Sequence, residues 1–308
     1  MFSIAVITDE VSQDLDTIID FARDFNLDGI ELRSIWDKSP QDLDDDEITR
    51  IRDRTTEAGL SVVGIAAPFY KCDIEDEATC REHLDILRRC VRVAQGLDTR
   101  LVRVFAFWKQ GSLKNYWQKI ISRYREPVLI AEGEGVVLGL ENEASTMIGT
   151  GAETRRLVDA LDTPVVKPLW DPCNELFAAG GLTPYPEGYN HIRSDMCHMH
   201  FKDGIRTTSK GDVCVPMCEG EIDYRGQFSD LIKQGYEGCI SLETHWRIGP
   251  DQIEQTLLDQ PGGKEFSEAG GTASRICLNN TLDLLEELGA VRSRRGATGI
   301  GKEGSTDE

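Results

Sequence analysis

Short apolar runs alternate with longer amphipathic stretches along almost the whole chain, and this alternation restricts the fold more than any other feature. Eight runs have the length of buried β-strands, at residues 3–8, 29–33, 61–66, 101–107, 136–141, 165–170, 197–202 and 239–243. Helical patterns fill the intervals; in the third, Leu84, Leu87 and Val91 recur at three- and four-residue steps, which indicates one buried helical face. Eight strands, each followed by a helix, predict a closed parallel (β/α)8 barrel.

An open, doubly wound sheet is the main alternative for such a chain, and the first turn argues against it. These sheets usually have fewer strands and a glycine-rich, phosphate-holding turn after the first strand. Here the turn is TDEVS at residues 8–12, without glycine. We therefore expect one barrel domain over residues 1–288 of the 308. Beyond it the composition turns to Arg, Gly, Ser and acidic residues, which predicts a disordered tail at residues 289–308.

Two segments fit the alternation poorly. Residues 180–188 (GGLTPYPEG) and 204–220 are rich in glycine, proline and polar residues, and they follow the sixth and seventh predicted strands. Loops after barrel strands lie at the catalytic face, so a substrate lid is one interpretation of each. An ordinary surface loop is equally compatible with the composition.

The chain is strongly acidic. Asp and Glu total 54 against 34 Lys and Arg, for a net charge of −20 and a pI near 4.7. Such a field repels phosphate backbones and anionic membranes, and no apolar run reaches the roughly 18 residues of a membrane span. We expect neither a nucleic-acid partner nor a membrane partner, and instead a small-molecule substrate.

The N-terminus and the cysteines indicate a cytoplasmic protein. The opening MFSIAVITDEVSQD lacks the basic region of a secretory signal. The nine cysteines are odd in number and contain no CxxC pair, which fits reduced thiols better than disulfides. Cys214 and Cys218 form a lone CxxxC, which is only a weak zinc signal.

Metal-capable side chains stand at the C-terminal ends of five predicted strands: Glu31, Glu141, Asp171, His200 and Glu243. A buried carboxylate without a partner costs free energy, so chance is a poor explanation for several apolar runs that end in one. The C-terminal rim of a barrel brings such residues onto one site. The last four, three carboxylates and an imidazole, suit Mn²⁺, Mg²⁺, Co²⁺ or, less well, Zn²⁺. Taken singly, each residue is as compatible with a structural role, in a salt bridge or a helix cap, as with a role in metal binding.

The motifs around these residues are more specific than their positions. LENE at 140–143, WDPCN at 170–174, HMHFKD at 198–203 and SLETH at 241–245 occur in that order, with ITDEVSQD at 7–14, GIELR at 29–33, EGEID at 219–223 and GYEG at 235–238. Together they resemble the sugar phosphate isomerase/epimerase family of xylose isomerase-like TIM barrels, which includes ketose 3-epimerases, inosose dehydratases and the relatives of endonuclease IV. The resemblance covers about residues 1–288 and is specific for the superfamily, not for one reaction.

The resemblance implies a metal site and a reaction. Its ligands would be Glu141, Asp171, His200 and Glu243, with Mn²⁺ as the expected ion. Glu141 and Glu243 would also be catalytic, taking and returning a proton alpha to a metal-bound carbonyl through an enediolate. The expected activity is isomerisation or epimerisation of a small keto-sugar. A lyase or dehydratase acting on a keto-cyclitol or 3-keto-glycoside with the same site is the alternative, and homo-oligomers are common in the family.

Two further functions are weaker alternatives. An endonuclease IV-like site needs extra histidines from the early strands, and the one histidine before residue 190, His83, lies in a predicted helix. A non-catalytic barrel would be expected to have lost a ligand. The chain departs from its relatives at Cys218, where they commonly carry glycine, so the conformation of that loop is open.

Five residues around the metal site are predicted to bind substrate: Glu31, Asn174, Lys202, His245 and Trp108. Glu31 would bind sugar hydroxyls or hold Arg33, and Lys202 and His245 would contact substrate or pair with neighbouring acids. Trp108, like Trp170 and Trp246, follows a strand and would stack on a sugar or belong to the core. His198 lies one layer deeper than His200 and is expected to be a hydrogen-bonded core residue.

Overall fold

The structure is a computed structural model that describes residues 1–207, 211–249, 253, 257 and 261–290. The strands are β1 (Ser3–Ile7), β2 (Gly29–Leu32), β3 (Ser61–Ile65), β4 (Leu101–Val104), β5 (Val137–Glu141), β6 (Val166–Trp170), β7 (His198–Phe201), β8 (Asp203–Ile205), β9 (Val213–Val215) and β10 (Cys239–Leu242). Eight of them close a parallel barrel in the order β1-β10-β7-β6-β5-β4-β3-β2. The predicted (β/α)8 barrel is confirmed, and all eight predicted runs form its strands. The tail predicted at 289–308 lies, from residue 291 on, outside the described residues.

Helices cover the outside of the barrel. They are α1 (Leu15–Asp24), α2 (Asp45–Glu57), α3 (Glu77–Gly96), α4 (Leu113–Glu134), α5 (Gly151–Leu161), α6 (Pro172–Phe177), α7 (Tyr224–Lys233), α8 (Gly263–Ser267) and α9 (Gly270–Glu287). None of the described helices is long and apolar enough to cross a membrane. Helix α2 begins at Asp45 because Asp44 caps it: Asp44 accepts from the Glu47 amide at 2.9 Å, and Glu47 accepts from the Asp44 amide at 3.0 Å.

One predicted loop is wrong, and one predicted helix begins later than expected. Residues 204–220 contain an antiparallel hairpin, β8 with β9, where only a loop was expected. The sequence pattern predicts a helix over 267–288, and α9 lies there; it begins at Gly270, three residues later than predicted, after Ala269 with a left-handed φ of 56°. Gly270 then packs so closely on Glu10 that a Cβ would lie 2.6 Å from the Glu10 carbonyl oxygen. The close packing of α9 against Glu10 therefore requires a residue without a Cβ at position 270.

The strand register places polar side chains inside the barrel. Ser241 of β10 stands beside His200 of β7, and Glu31 of β2 stands beside Ile7 of β1. Side chains alternate along a strand, so residues 198, 200 and 202 share one side, as do 241 and 243. The barrel interior is polar towards its C-terminal end, which is where the candidate ligands lie.

The loop that carries Cys218 has an unusual backbone. Cys218 has a φ of 69°, in the left-handed region that glycine adopts at no steric cost. The departure from the family at this position therefore falls on a backbone conformation that favours glycine. All nine cysteines are free thiols in the structure.

Candidate metal centre

Four side chains from four strand ends converge at the C-terminal rim of the barrel. Glu141 ends β5, Asp171 follows β6, His200 lies in β7 and Glu243 follows β10. Each offers a possible ligand atom, and these atoms all lie within 4.8 Å of one another. All four side chains are buried, none more than 3% exposed. We call this group the rim site; the structure brings together the four residues that were predicted as ligands.

The imidazole of His200 is oriented by a carboxylate behind it. Its Nε2 lies 3.0 Å from Glu31 Oε1, and its Nδ1 lies 3.1 Å from Glu141 Oε1 and 3.9 Å from Glu243 Oε2. The adjacent histidines hold Glu31 ionised: burial opposes ionisation, but the charges of His200 and His198 keep the pKa of Glu31 well below the usual range. An ionised carboxylate only accepts, so Nε2 donates to Glu31 and Nδ1 is left as the ligand atom.

The protonation of His200 also suits a cation site. Burial lowers its pKa, but the charges of Glu31 and Glu141 outweigh burial and raise the pKa to about 10. The metal-free site therefore holds a proton on His200 as a small positive charge among carboxylates. A divalent ion at the same place would displace that proton.

One carboxylate oxygen of Asp171 caps a helix, and the other lies at the rim site. Its Oδ1 accepts from the amides of Cys173 at 2.8 Å and Asn174 at 2.9 Å, which caps α6, and its Oδ2 contacts Lys202 Nζ. Burial raises the Asp171 pKa to about 7, although Lys202 opposes the rise. Asn142 braces the backbone here: its side chain donates to the Asp171 carbonyl and accepts from the Asp171 amide, each at 2.8 Å.

The two glutamates are held differently. Glu141 Oε1 faces His200 and Asn174 Nδ2, the latter at 3.4 Å, whereas its buried Oε2 accepts no hydrogen bond from any described residue. Glu243 has both oxygens occupied: Oε2 accepts from Lys202 Nζ at 2.5 Å and Oε1 from Arg33 Nη1 at 2.6 Å. Burial opposes ionisation of Glu243, but Lys202 and the other cations around it keep its pKa well below the usual range.

Two arginines join the site, and sequence reasoning missed both as site residues. Arg33 is fixed by Asp9 Oδ1 at 2.9 Å and Glu10 Oε1 at 2.8 Å. Arg103 Nη1 lies 3.3 Å from Glu141 Oε2 and 3.6 Å from Glu243 Oε1. The signal for Arg103 was its place inside the apolar run LVRVFAF, because a charge in a buried strand requires partners.

Glu31 has other partners than the sequence suggested. It accepts from His198 Nε2 at 3.0 Å as well as from His200, and among the described contacts it makes none with Arg33. The alternative in which Glu31 holds Arg33 is wrong, since Asp9, Glu10 and Glu243 hold that guanidinium instead. His198, buried and bonded also to Ser241 Oγ at 2.9 Å, lies in the hydrogen-bonded core as expected.

Lys202 and His245 both contact Glu243. The Lys202 ammonium lies between Glu243 and Asp171. Burial alone would lower the pKa of Lys202, but these two acids outweigh burial and raise it well above its usual range. His245 Nε2 is 3.5 Å from Glu243 Oε1, 3.5 Å from Glu10 Oε1 and 3.5 Å from Arg33 Nη1. Burial lowers the pKa of His245 well below its usual range, so the ring is neutral.

Trp108 and Trp170 have different surroundings. Trp108 lies in the loop after β4, its ring 5.6 Å from Lys71 Nζ, and that ammonium pairs with Glu143 at 3.2 Å. Trp170 is fully buried, and a Cβ added at Gly151 or Gly188 would touch its ring at 3.0 Å or 2.9 Å. Trp170 therefore packs against the helix layer, and the interpretation of it as a sugar platform is wrong.

A cavity of about 400 Å³ adjoins the rim site. Arg33, Lys38, Lys71 and Arg103 line it, with Asp37 as the one acidic residue among its described lining. Since Arg33 contacts Glu243 and Arg103 contacts Glu141, each of these guanidinium groups reaches from the cavity to the rim site. We call it the cationic cavity.

Residues 19–260 match the family described as xylose isomerase-like TIM barrel. The chain belongs to this family. No curated protein sequence matches the chain significantly. Among solved structures, a D-tagatose 3-epimerase-like protein aligns over 93% of this chain and 99% of its own, with 19% identity and a TM-score of 0.67.

Two further solved structures differ in what they are named for. The probable 3-DHS dehydratase AsbF from Bacillus anthracis aligns over 89% of this chain and 98% of its own, at 18% identity and a TM-score of 0.65. The IOLI protein with a binding zinc atom aligns over 93% and 99%, at 12% identity and a TM-score of 0.68. At these identities the likenesses show the shared fold.

Proposed function

We propose that the chain is a divalent-metal-dependent isomerase or epimerase of a small keto-sugar. One observation carries the proposal: two glutamates, Glu141 and Glu243, stand around one possible ion position at the rim site. The second carboxylate oxygen of each is directed towards an arginine, Arg103 for Glu141 and Arg33 for Glu243. Structural neighbours named as a D-tagatose 3-epimerase-like protein and an L-ribulose 3-epimerase support the reaction class.

The residues fit a divalent ion. Three carboxylates and an imidazole Nδ1 form a mixed oxygen and nitrogen set, and Glu31 behind His200 is the carboxylate that such ligands usually have. Mn²⁺ is the ion we propose, and a neighbour with bound zinc supports a divalent metal in this fold. When bound, the ion would polarise a substrate carbonyl and an adjacent hydroxyl and so acidify the C–H between them.

Proton transfer falls to the glutamate oxygens that the ion does not use. Glu141 Oε2 has Arg103 Nη1 beside it at 3.3 Å but accepts no hydrogen bond from the described residues, so it retains lone pairs for a substrate proton. On the other side Glu243 Oε1 is held by Arg33, which keeps that carboxylate ionised and fixed in position. Each positioned acid–base step contributes about 10²–10⁴-fold to the rate.

Positive side chains complete the arrangement. Arg103 Nη1 lies within 3.6 Å of oxygens of both Glu141 and Glu243, and Lys202 Nζ contacts Glu243 from the side of Asp171. Donors fixed in a buried site stabilise negative charge that develops on substrate oxygens, because they need not reorganise. In our proposal Lys202 and Arg103 have this role.

A lyase on the same site is the second candidate. It needs a proton donor for the leaving oxygen, and both Lys202 and His245 lie beside Glu243 where such a donor would stand. The neighbour named as a probable 3-DHS dehydratase supports this class. Both reactions begin with the same proton abstraction and differ in whether a β-oxygen leaves.

The test is deuterium incorporation in D₂O by the Mn²⁺-loaded protein, with ketoses, inososes and 3-keto-glucosides. Products are read by proton NMR and mass spectrometry after chelation of the metal. Deuterium alpha to the carbonyl with all oxygens retained supports the isomerase or epimerase; loss of water or aglycone with a new vinyl signal moves the protein to the lyases. Glu243→Gln should abolish conversion of substrate to product, whereas Glu237→Gln, an exposed change before β10, should not. Undiminished activity in Glu243→Gln would refute the assignment.

A further inference from the structure

The Lys202 ammonium contacts two of the four candidate metal ligands. Its Nζ donates to Asp171 Oδ2 and, at 2.5 Å, to Glu243 Oε2. The Lys202 side chain is 3% exposed and both acids are buried as well, so water has little access to these contacts. The positive charge therefore lies within the rim site, between two of its carboxylates.

The two oxygens that Lys202 contacts are also the ones left for an ion. Asp171 Oδ1 accepts from two amides of the first turn of α6, so Oδ2 is the Asp171 oxygen that can bind a metal without uncapping that helix. Glu243 Oε1 accepts from Arg33 Nη1 at 2.6 Å, so Oε2 is the corresponding oxygen of Glu243. The ion and the ammonium therefore require the same two atoms.

One pair of oxygens cannot serve both cations. A divalent ion approaches carboxylate oxygens to about 2.0–2.2 Å, so an ion bound to both atoms would lie in contact with an ammonium that also touches both. Like charges at such a separation repel strongly where water is excluded. Metal binding must therefore move the Lys202 ammonium and break its two charge-assisted hydrogen bonds.

The Lys202 side chain can move while its backbone stays in place. The Lys202 amide donates to Tyr224 Oη at 3.2 Å, and the Lys202 carbonyl accepts from the same hydroxyl at 2.5 Å. These bonds hold the main chain at the end of β7. The four-carbon stem, in contrast, is flexible and carries a compact charge with three rotatable donors. Displacement of the ammonium therefore requires a change of side-chain rotamer and no change in the strand.

We propose that Lys202 is an internal competitor of the metal: its ammonium occupies the ligand oxygens of Asp171 and Glu243, lowers the affinity of the rim site for a divalent ion, and is displaced when the ion binds. The inference rests on the proposed function and adds how metal occupancy of the same site is controlled. A displaced, buried ammonium needs a new acceptor. An oxygen of the bound substrate supplies one, which agrees with the role of Lys202 in the proposed reaction.

The test is the affinity for Mg²⁺ and Mn²⁺, measured at about pH 8 by competition with a fluorescent chelator. Lys202→Met removes the charge and keeps most of the side-chain volume. This variant should bind both ions about tenfold or more tightly than wild type, because the ion no longer has to break two hydrogen bonds to a charged group. Lys202→Arg retains the charge and should show little of this gain. If the ammonium instead oriented the ligands for the ion, Lys202→Met would bind both ions more weakly.

Lys119→Met is the matched control. Lys119 Nζ also contacts a carboxylate oxygen, Glu75 Oε2, at 2.5 Å, but both of these side chains are partly exposed at the surface. The variant makes the same change in net charge, so a general electrostatic effect on cation binding would appear in it as well. Its affinity for both ions should equal that of wild type within about twofold, because salt screens a distant surface charge.

A second measurement covers the case in which Lys202→Met does not fold, which circular dichroism of the metal-free protein shows. The lysine ammonium groups of the wild-type protein are followed by ¹⁵N NMR during titration with Mg²⁺. The Lys202 signal is assigned by its absence from Lys202→Arg. It should shift in proportion to the bound ion, because the ammonium loses both of its carboxylate acceptors.

Three results would overturn the proposal: unchanged or weaker ion binding in Lys202→Met, the same gain in Lys119→Met, or a Lys202 signal that does not respond to bound Mg²⁺. The proposed function fails separately. Ion binding without any deuterium exchange would contradict the isomerase and leave the competition by Lys202 standing. Exchange that depends on the metal, with an affinity that Lys202 does not affect, would do the reverse, and no ion binding in any of the four proteins would refute both.

Discussion

Arg33 Nη1 donates to Glu243 Oε1 at 2.6 Å, whereas Glu141 Oε2 accepts no hydrogen bond from any described residue. The two glutamates of the rim site are therefore not equivalent, although both stand next to His200. Arg33 is itself fixed by Asp9, so the orientation of Glu243 is set before a substrate binds. Glu141 Oε2 lies 3.3 Å from Arg103 Nη1, an ion pair without a hydrogen bond, so it retains lone pairs for a substrate proton.

This asymmetry makes a prediction about two epimeric substrates. If one glutamate serves each face of the sugar, Glu141→Gln should lower deuterium exchange by about 10²–10⁴-fold for one epimer and Glu243→Gln should do so for the other. Neither variant should interconvert the epimers. Exchange is measured at saturating Mn²⁺ so that weaker metal binding does not limit it, with Glu237→Gln as the control. Equal loss for both epimers in both variants would contradict a two-base arrangement.

Glu31 should act on the metal through His200. Replacing it by Gln keeps the volume but removes the charge that orients and polarises the imidazole, whose Nε2 lies 3.0 Å away. Loss of such a partner typically weakens metal binding about 10–100-fold. Competition with a fluorescent chelator measures the Mn²⁺ affinity of Glu31→Gln against wild type and Glu237→Gln. An unchanged affinity would show that Glu31 has no part in the site.

Metal affinity should depend strongly on pH. In the metal-free protein the neighbouring carboxylates, overcoming burial, raise the His200 pKa to about 10, so metal binding displaces a proton from it at neutral pH. The dissociation constant should fall about tenfold per pH unit between about pH 7 and 9. Burial also raises the Asp171 pKa to about 7, so below that pH a second proton is released and the dependence becomes steeper. Calorimetry in two buffers of different protonation enthalpy counts these protons; a pH-independent affinity would contradict the prediction.

The barrel, and the meeting of the four candidate ligands at its rim, followed from the sequence because both depend on local patterns. A parallel strand that ends in Glu141 or Asp171 places that side chain at the rim whatever its neighbours are. Asn142 and Arg103 were missed as site residues because their partners come from other strands. For Arg103 the sequence indicated a buried charge within β4 but gave no means of choosing Glu141 as its partner.

Contacts across the barrel interior were beyond prediction for a related reason. Glu31 of β2 reaches His200 of β7 although β1 and β10 lie between these strands in the sheet. That contact depends on the stagger of the closed barrel, which no single strand specifies. The adjacent Arg33 was the nearer partner along the sequence, and alternation places its Cβ on the same side as that of Glu31. Arg33 pairs instead with Asp9 and Glu10, which follow β1 and whose positions depend on the turn there.

Replacing Cys218 by glycine should stabilise the protein. The Cys218 φ of 69° costs a residue with a Cβ about 1–2 kcal/mol, whereas glycine adopts this region freely. Glycine also loses more chain entropy on folding, about 0.5–1 kcal/mol, so Cys218→Gly should raise the free energy of unfolding by about 0.5–1 kcal/mol. Thr56→Gly, an exposed change in the last turn of α2, should lower it by a few tenths of a kcal/mol. Denaturant midpoints of the metal-free proteins measure both changes, and destabilisation by Cys218→Gly would show that the thiol contributes more than its backbone conformation costs.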